Sequence, residues 1–251
     1  MGDNVSGLSM NEYYPPFCEL AASDTNAFST FRINPAYTPI LEHVTEAQGA
    51  QYFSLVEELV KDNYLEIIKN DQFGSPVVWA YTGIGPISPT TLRYCKVLAD
   101  IKKLVGAEEV DSVCEIGVGY GGQCRLLDSF MTVHEYELVD LPQVLKLANR
   151  YLKGFTLKTQ IVLSDMEHLV ARDRNLVVSN YAFSELCRDL QSVYLEKVIL
   201  RAKKGYLTVN CVNPPEFNSY SVQELLQLIP GSVQSPEEPL THPHNCIISW
   251  T

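Results

Sequence analysis

No apolar run in the 251 residues approaches the roughly 20 needed to span a bilayer, and no basic region followed by an apolar stretch opens the chain. The seven cysteines, at positions 18, 95, 114, 124, 187, 211 and 246, include no Cys-x-x-Cys pair and no Cys/His cluster at zinc spacing. Their odd number and wide scatter suit small buried hydrophobes in a reducing compartment, so a soluble, cytoplasmic protein is expected. Positive charge is scarce: 19 Lys and Arg stand against 30 Asp and Glu, a formal net charge of −11 that repels a phosphate backbone or an anionic membrane. Nucleic acid and membrane insertion are therefore not expected, and internal repeats and low-complexity tracts are also missing. What is present is 46 % hydrophobic residues, enough for one catalytic-sized domain with an N-terminal addition.

Residues 1–40 mix Asn, Ser and Pro with aromatics and keep no period, which fits an arm that is either flexible or laid over the core as a lid. From about 44 to 69, Tyr52, Val56, Leu59, Val60, Tyr64, Ile67 and Ile68 recur at helical spacing and predict one amphipathic helix. NDQFGSPVVWAYTGIGPIS (70–88) reads as a structured loop. Ser88 then caps a helix over 89–105 with Pro89 at its first position, and Gly106 stops it. Residues 41–106 thus form a helical cap or substrate segment.

Beyond Gly106, short apolar runs alternate with longer helical stretches, the pattern of a parallel sheet with crossovers. Strands are predicted over 111–117, 135–140, 159–165, 175–180 and 205–212. Helices are predicted near 121–130, 142–153, 166–171 and 184–203, the last closed by Gly205. A final helix in SVQELLQLI precedes two strands in SVQSPEEP and NCIISW. The expected fold is α/β, a Rossmann-like doubly wound seven-stranded sheet over 107–251 with an N-terminal helical extension. Its ligand should sit at the carboxyl ends of the strands, where the winding reverses.

CEIGVGYGGQC (114–124) places Gly117, Gly119 and Gly122 as G-x-G-x-x-G between a strand and a helix, where glycine lets a ligand approach the backbone. Asp140 ends the second strand 18 residues after the last glycine and can accept both hydroxyls of an adenosine ribose. Dinucleotides and S-adenosylmethionine both satisfy these two features. Glu115 separates them, because a pyrophosphate would make its charge unwelcome whereas a cationic amino-acid end would welcome it. Asp165 and Met166 end the third strand, where they can meet an adenine, although a helix cap explains Asp165 equally. Asn180, Tyr181 and Glu185, in SNYAFSEL, would face a methyl donor; Ser184 there also reads as a helix cap.

With these residues assembled, the chain resembles the sugar O-methyltransferase family of class I, S-adenosylmethionine-dependent enzymes. The resemblance rests on GPISPTTLRY (85–94), CEIGVGYGGQCRLLD (114–128), YELVDLPQVLKLANRYL (136–152), VVSNYAFSEL (177–186), KGYLTVN (204–210) and EEPLTHPHNCIISW (237–250), and covers about residues 70–251. It implies a class I methyltransferase fold and methyl transfer to a sugar hydroxyl in glycan or polysaccharide biosynthesis, on a free, nucleotide-linked or lipid-linked acceptor. It further implies that Glu115, Gly117, Gly119, Gly121 and Gly122, with Tyr120 and Gln123 among them, form the cofactor loop. Asp140 and Leu141 would contact ribose and adenine, and Asn180 and Tyr181 would face the methyl group.

A sugar hydroxyl is a poor nucleophile, so a base is expected. His242 is the first candidate, in a loop that the last strand would carry over the sheet, and Glu185 is the second. His244 beside it, Trp79 and Tyr81 are candidates for the acceptor, the two aromatics by stacking on a pyranose face. Arg93 would reach either a sugar-linked phosphate or the cofactor carboxylate. No paired carboxylates stand at one strand end, so a metal-free site is expected. A phenolic acceptor, an NAD(P)-dependent oxidoreductase and a cofactor-binding protein without activity stay open, as does a homodimer.

Overall fold

The computed structural model describes residues 12–107 and 109–251. The part of the predicted arm over 1–11 lies outside them. The rest of the arm is helical and packed on the core. α1 (Tyr14–Ser23) buries Tyr14, Cys18 and Ala21, and is followed by α2 (Thr25–Ser29) and α3 (Thr38–Leu41). The helix expected over 44–69 is two: α4 (Glu46–Leu55), opened by a Thr45/Gln48 capping box, and α5 (Glu57–Ile67). The hydrophobic period runs unbroken across the join because Tyr52, Val56 and Val60 all reach the core, while the Val56 N–H closes on the Phe53 carbonyl and ends the first helix.

A small hairpin follows, β1 (Trp79–Ala80) against β2 (Pro86–Ile87). α6 (Pro89–Asp100) begins as predicted, with the Ser88 hydroxyl accepting the Thr91 N–H at 3.1 Å. A π-helical turn over Ile101–Val105 extends it to Gly106. Then come β3 (Glu109–Ile116), α7 (Gly122–Phe130), β4 (Thr132–Val139), α8 (Pro142–Leu152), β5 (Gln160–Ser164), β6 (Arg174–Asn180), α9 (Arg188–Lys197), β7 (Ala202–Val209), α10 (Val222–Leu228), β8 (Val233–Pro236) and β9 (Cys246–Trp250).

The large sheet has the order β5-β4-β3-β6-β7-β9-β8. Pairings among β3 to β7 are parallel, and β9 runs antiparallel to both β7 and β8. The winding reverses between β3 and β6, and a ligand crevice is expected at their carboxyl ends. Alternate strand residues feed two cores. Val113, Tyr136, Leu138 and Val178 join α1, α6, α7 and α8 on one face, and Cys114, Ile116, Val177 and Leu207 join α9 and α10 on the other.

Two predicted elements need correction. No helix covers 166–171; Asp165 accepts the N–H of His168 at 2.9 Å and holds a turn instead. The helix expected over 184–203 ends at Lys197, and Gly205 lies inside β7 rather than at a helix end. It is glycine there because a Cβ would stand 2.0 Å from the ring of its cross-strand partner Trp250. All seven cysteines are free, and among the described residues no helix is long and apolar enough to cross a membrane.

Candidate functional site

A cavity of about 680 Å³ opens over the carboxyl ends of β3, β4 and β6. Its floor is the strand ends and its roof comes from the N-terminal segment, which contributes Tyr14, Ile40, Leu41, His43, Val44 and Gln48. Arg32 fastens that roof: buried to 1 %, it pairs with Glu42 at 2.6 Å and Asp71 at 2.9 Å and lies 4.6 Å above the Tyr120 ring.

At the β3–β4 end, Glu115 is 2 % exposed, lines the cavity and accepts the Tyr136 hydroxyl at 2.8 Å. Burial pushes its carboxyl up to about 8, with the neighbouring Asp140 adding to the rise. Asp140 also lines the cavity, and burial raises it to about 6 against three backbone N–H donors, from Leu141, Val118 and Gly119. Gly117 and Gly119 line it with φ of +79° and +53°. Their missing side chains make room for the protein itself, since Cβ atoms would stand 2.0 Å from Ala182 and 2.4 Å from Leu41. Leu141, Asp165 and Met166 complete this end. The N–H and ring of His168 hold the Asp165 carboxyl below its ordinary range.

At the β6 end, Asn180, Tyr181 and Glu185 line the cavity, with His242 exposed at its rim. Tyr181 has φ +66° and ψ −37°, a conformation that non-glycine residues hold only where the surroundings impose it. Its hydroxyl donates to the buried carboxylate of Glu237, which also accepts Thr241 and Asn245. Glu185 accepts Asn210 at 2.7 Å, and burial lifts its carboxyl above the ordinary range. The Asn180 Oδ1 is buried without a hydrogen-bond partner. Arg93 lines the cavity beside them.

Seven predicted residues stand elsewhere. After Gly119 a turn, closed by the Gly121 N–H on the Val118 carbonyl, carries the chain away from the cavity into α7. Tyr120, Gly121, Gly122 and Gln123 therefore do not line it; Tyr120 packs edge-on against Tyr151 at 4.8 Å, and Gln123 donates to the Tyr94 carbonyl. Trp79 sits 41 % exposed on the hairpin, and Tyr81 is buried against Phe53, because the hairpin docks on α4 and α5. His244 is exposed outside the cavity, its ring 5.6 Å from that of His242.

Sequence reasoning missed His43, Tyr52, Asn210, Thr241 and Asn245 as lining residues, and Glu237 as the support of Tyr181. Tyr52 was visible only as one of the helical apolar positions, and nothing local marks the others. Among the described residues, no three His, Cys, Asp or Glu side chains gather in a metal-holding group.

The lining residues suit a nucleoside with a cationic end. Two buried carboxylates at one end match hydroxyls and an ammonium, and the volume falls within the range of small-molecule sites.

No protein-family model matches the sequence, and no curated protein matches it. Solved structures similar to it include a SAM dependent methyltransferase from Aquifex aeolicus, at 16 % identity and TM-score 0.44 over 78 % of this chain and 96 % of that one. The N-methyltransferase NodS from Bradyrhizobium japonicum is 12 % identical, with TM-score 0.46, over 62 % of this chain and 92 % of that one. The mitomycin 7-O-methyltransferase is 15 % identical, with TM-score 0.43, over 63 % of this chain and 56 % of that one. By its own strand order and its antiparallel β9, the chain has the seven-stranded α/β fold of class I methyltransferases.

Proposed function

We propose that the protein is an S-adenosylmethionine-dependent O-methyltransferase acting on a sugar hydroxyl. One observation carries the reading: a single cavity has Glu115 and Asp140 at one end and Tyr181, Glu185 and His242 at the other. When bound, S-adenosylmethionine supplies a methyl group on a sulfonium, which leaves as a neutral thioether. Glu115 holds the cation of the amino-acid end, and Asp140 the ribose hydroxyls. Leu141 and Met166 pack on the adenine. Asn180 and Tyr181 align the acceptor, whose hydroxyl proton passes to the imidazole of His242, while Glu185 orients the acceptor or the imidazole. The N-terminal segment excludes water from above, and no metal takes part.

Calorimetry with S-adenosylhomocysteine, followed by methyl uptake onto a panel of sugars, tests the reading. Binding and transfer are expected, with His242→Ala slowing transfer by at least about 10²-fold. Failure to bind S-adenosylhomocysteine, or a melting temperature raised by NADH instead, overturns it. Activity lost in EDTA and restored by Mg²⁺ overturns the metal-free site.

A further inference from the structure

Arg93 enters the cavity from the second turn of α6 and is 7 % exposed. Among the described residues it forms no ion pair, its Nε has no hydrogen-bond partner, and its guanidinium makes one hydrogen bond, from Nη2 to the Leu41 carbonyl at 3.3 Å. The buried carboxylates around it are engaged elsewhere: Asp100 pairs with Lys96, and Glu237 accepts Tyr181, Thr241 and Asn245, while Glu238 beside them is exposed. Glu42 binds Arg32 and Thr90, and Glu185 binds Asn210. The rings of Tyr94 and Tyr181 stand 5.8 Å and 6.0 Å from its Cζ, at the outer edge of cation–π contact. A buried guanidinium left without a counter-ion is costly, and its planar fork fits the paired oxygens of a carboxylate or phosphate.

We infer that Arg93 seats an anionic group, a carboxylate or a phosphate ester, carried by the molecule that receives the methyl group. The inference rests on the methyl-transfer reading and narrows its acceptor to a charged sugar. Two features assign the anion to the acceptor rather than to the amino-acid end of the cofactor. Arg93 borders a side cavity of about 20 Å³ with Asn180, Tyr181, Thr208 and Glu237, on the β6–β7–β9 side and away from β4 and β5. The unpartnered Asn180 Oδ1 lies in that same corner, ready to accept from a sugar hydroxyl. His43 lines the same cavity as a neutral imidazole, held down at about 4 by burial and Arg93, with a ring hydrogen bond to the Pro39 backbone.

The test is calorimetry of the protein saturated with S-adenosylhomocysteine, titrated in turn with methyl glucuronide, glucose 1-phosphate and methyl glucoside. At least one anionic sugar is expected to bind about tenfold or more tighter than the neutral glycoside, and which one does so separates carboxylate from phosphate. Arg93→Gln should erase that preference, Arg93→Lys should keep part of it, and S-adenosylhomocysteine affinity should stay within about threefold in both. Melting temperature reports folding, and Arg93→Gln is not expected to lower it, because an unpaired charge leaves the interior. Equal binding of all three sugars, no binding of either anion, or a preference that survives Arg93→Gln overturns the inference. So does a tenfold or greater loss of S-adenosylhomocysteine affinity in Arg93→Gln, roughly what losing a direct charge-assisted contact costs, which would assign the fork to the cofactor carboxylate. If the wild type does not bind S-adenosylhomocysteine at all, the methyl-transfer reading falls, and the preference of the free protein for glucose 1-phosphate over methyl glucoside still decides the anion seat.

Discussion

Asp140 holds the glycine loop from the neighbouring strand: its Oδ2 accepts the Val118 N–H at 2.8 Å and the Gly119 N–H at 3.3 Å. The residue read as a ribose acceptor is thus also the clamp that shapes the loop, with Oδ1 taken by the Leu141 N–H at 2.7 Å. Asp140→Asn places an amide where one of these donors points and weakens hydrogen bonds worth about 1.5–3 kcal/mol to a charged acceptor. We expect a lower melting temperature and at least about tenfold weaker S-adenosylhomocysteine binding, read by calorimetry. An unchanged affinity would detach Asp140 from the ligand.

The paired carboxyls set a pH dependence. Glu115 is raised to about 8 and Asp140 to about 6, against roughly 4.3 and 3.9 in the unfolded chain. A raised carboxyl pKa means that the folded state holds more protons, so stability falls as pH rises through the window between the two values. The ligand-free protein should melt higher at about pH 5 than at about pH 8, with most of the slope removed by Glu115→Gln. That variant should be the more heat-stable of the two at the alkaline end, while binding S-adenosylhomocysteine more weakly. A wild-type melting temperature that climbs steadily from acid to neutral would contradict the assignment.

How much of this could be read beforehand follows from the range of the interactions. The Ser88–Pro89 start of α6, the glycine turn after β3 and the apolar strands are local signals; the first two stand where they were read, and the strands of the parallel part exist as read with ends displaced, β7 over Ala202–Val209 rather than 205–212. Gly205 misled because a glycine that stops a helix and one that admits Trp250 look alike in one dimension. Tyr120 and Gln123 sit among the loop glycines, yet which way each side chain points depends on the turn at Gly121. His43 and Tyr52 come from the N-terminal segment and Glu237 from near the other end of the chain. Only the roof over the strands and the β8–β9 connection bring them to one place, and no spacing along the sequence records that.

Glu237 offers a direct measurement of this long-range support. It is 5 % exposed and accepts Tyr181, the Thr241 N–H at 2.8 Å, the Thr241 hydroxyl at 2.7 Å and Asn245 at 3.1 Å. Glu237→Ala leaves these donors unmatched and should cost about 3 kcal/mol in urea unfolding. Glu237→Gln should cost less. A double-mutant cycle with Tyr181→Phe is expected to show coupling of about 1 kcal/mol or more; additive losses would mean that the contact contributes nothing.

The roof offers another. Arg32→Ala removes the partner of Glu42 and Asp71 from a buried site, a change of about 3–5 kcal/mol. Limited proteolysis should then cut between residues 34 and 46 well before the sheet unfolds. Simultaneous loss of both would show that roof and sheet melt as one unit.

Gly117 and Gly119 carry a last consequence. Each is required twice by the protein alone, once for its left-handed backbone and once to admit Ala182 or Leu41. A descendant of this chain that had abandoned its ligand would still be under selection to keep both. The signature therefore dates the architecture, and the record of chemistry is better sought in side chains such as Glu115 and Arg93, which the fold alone has no reason to bury.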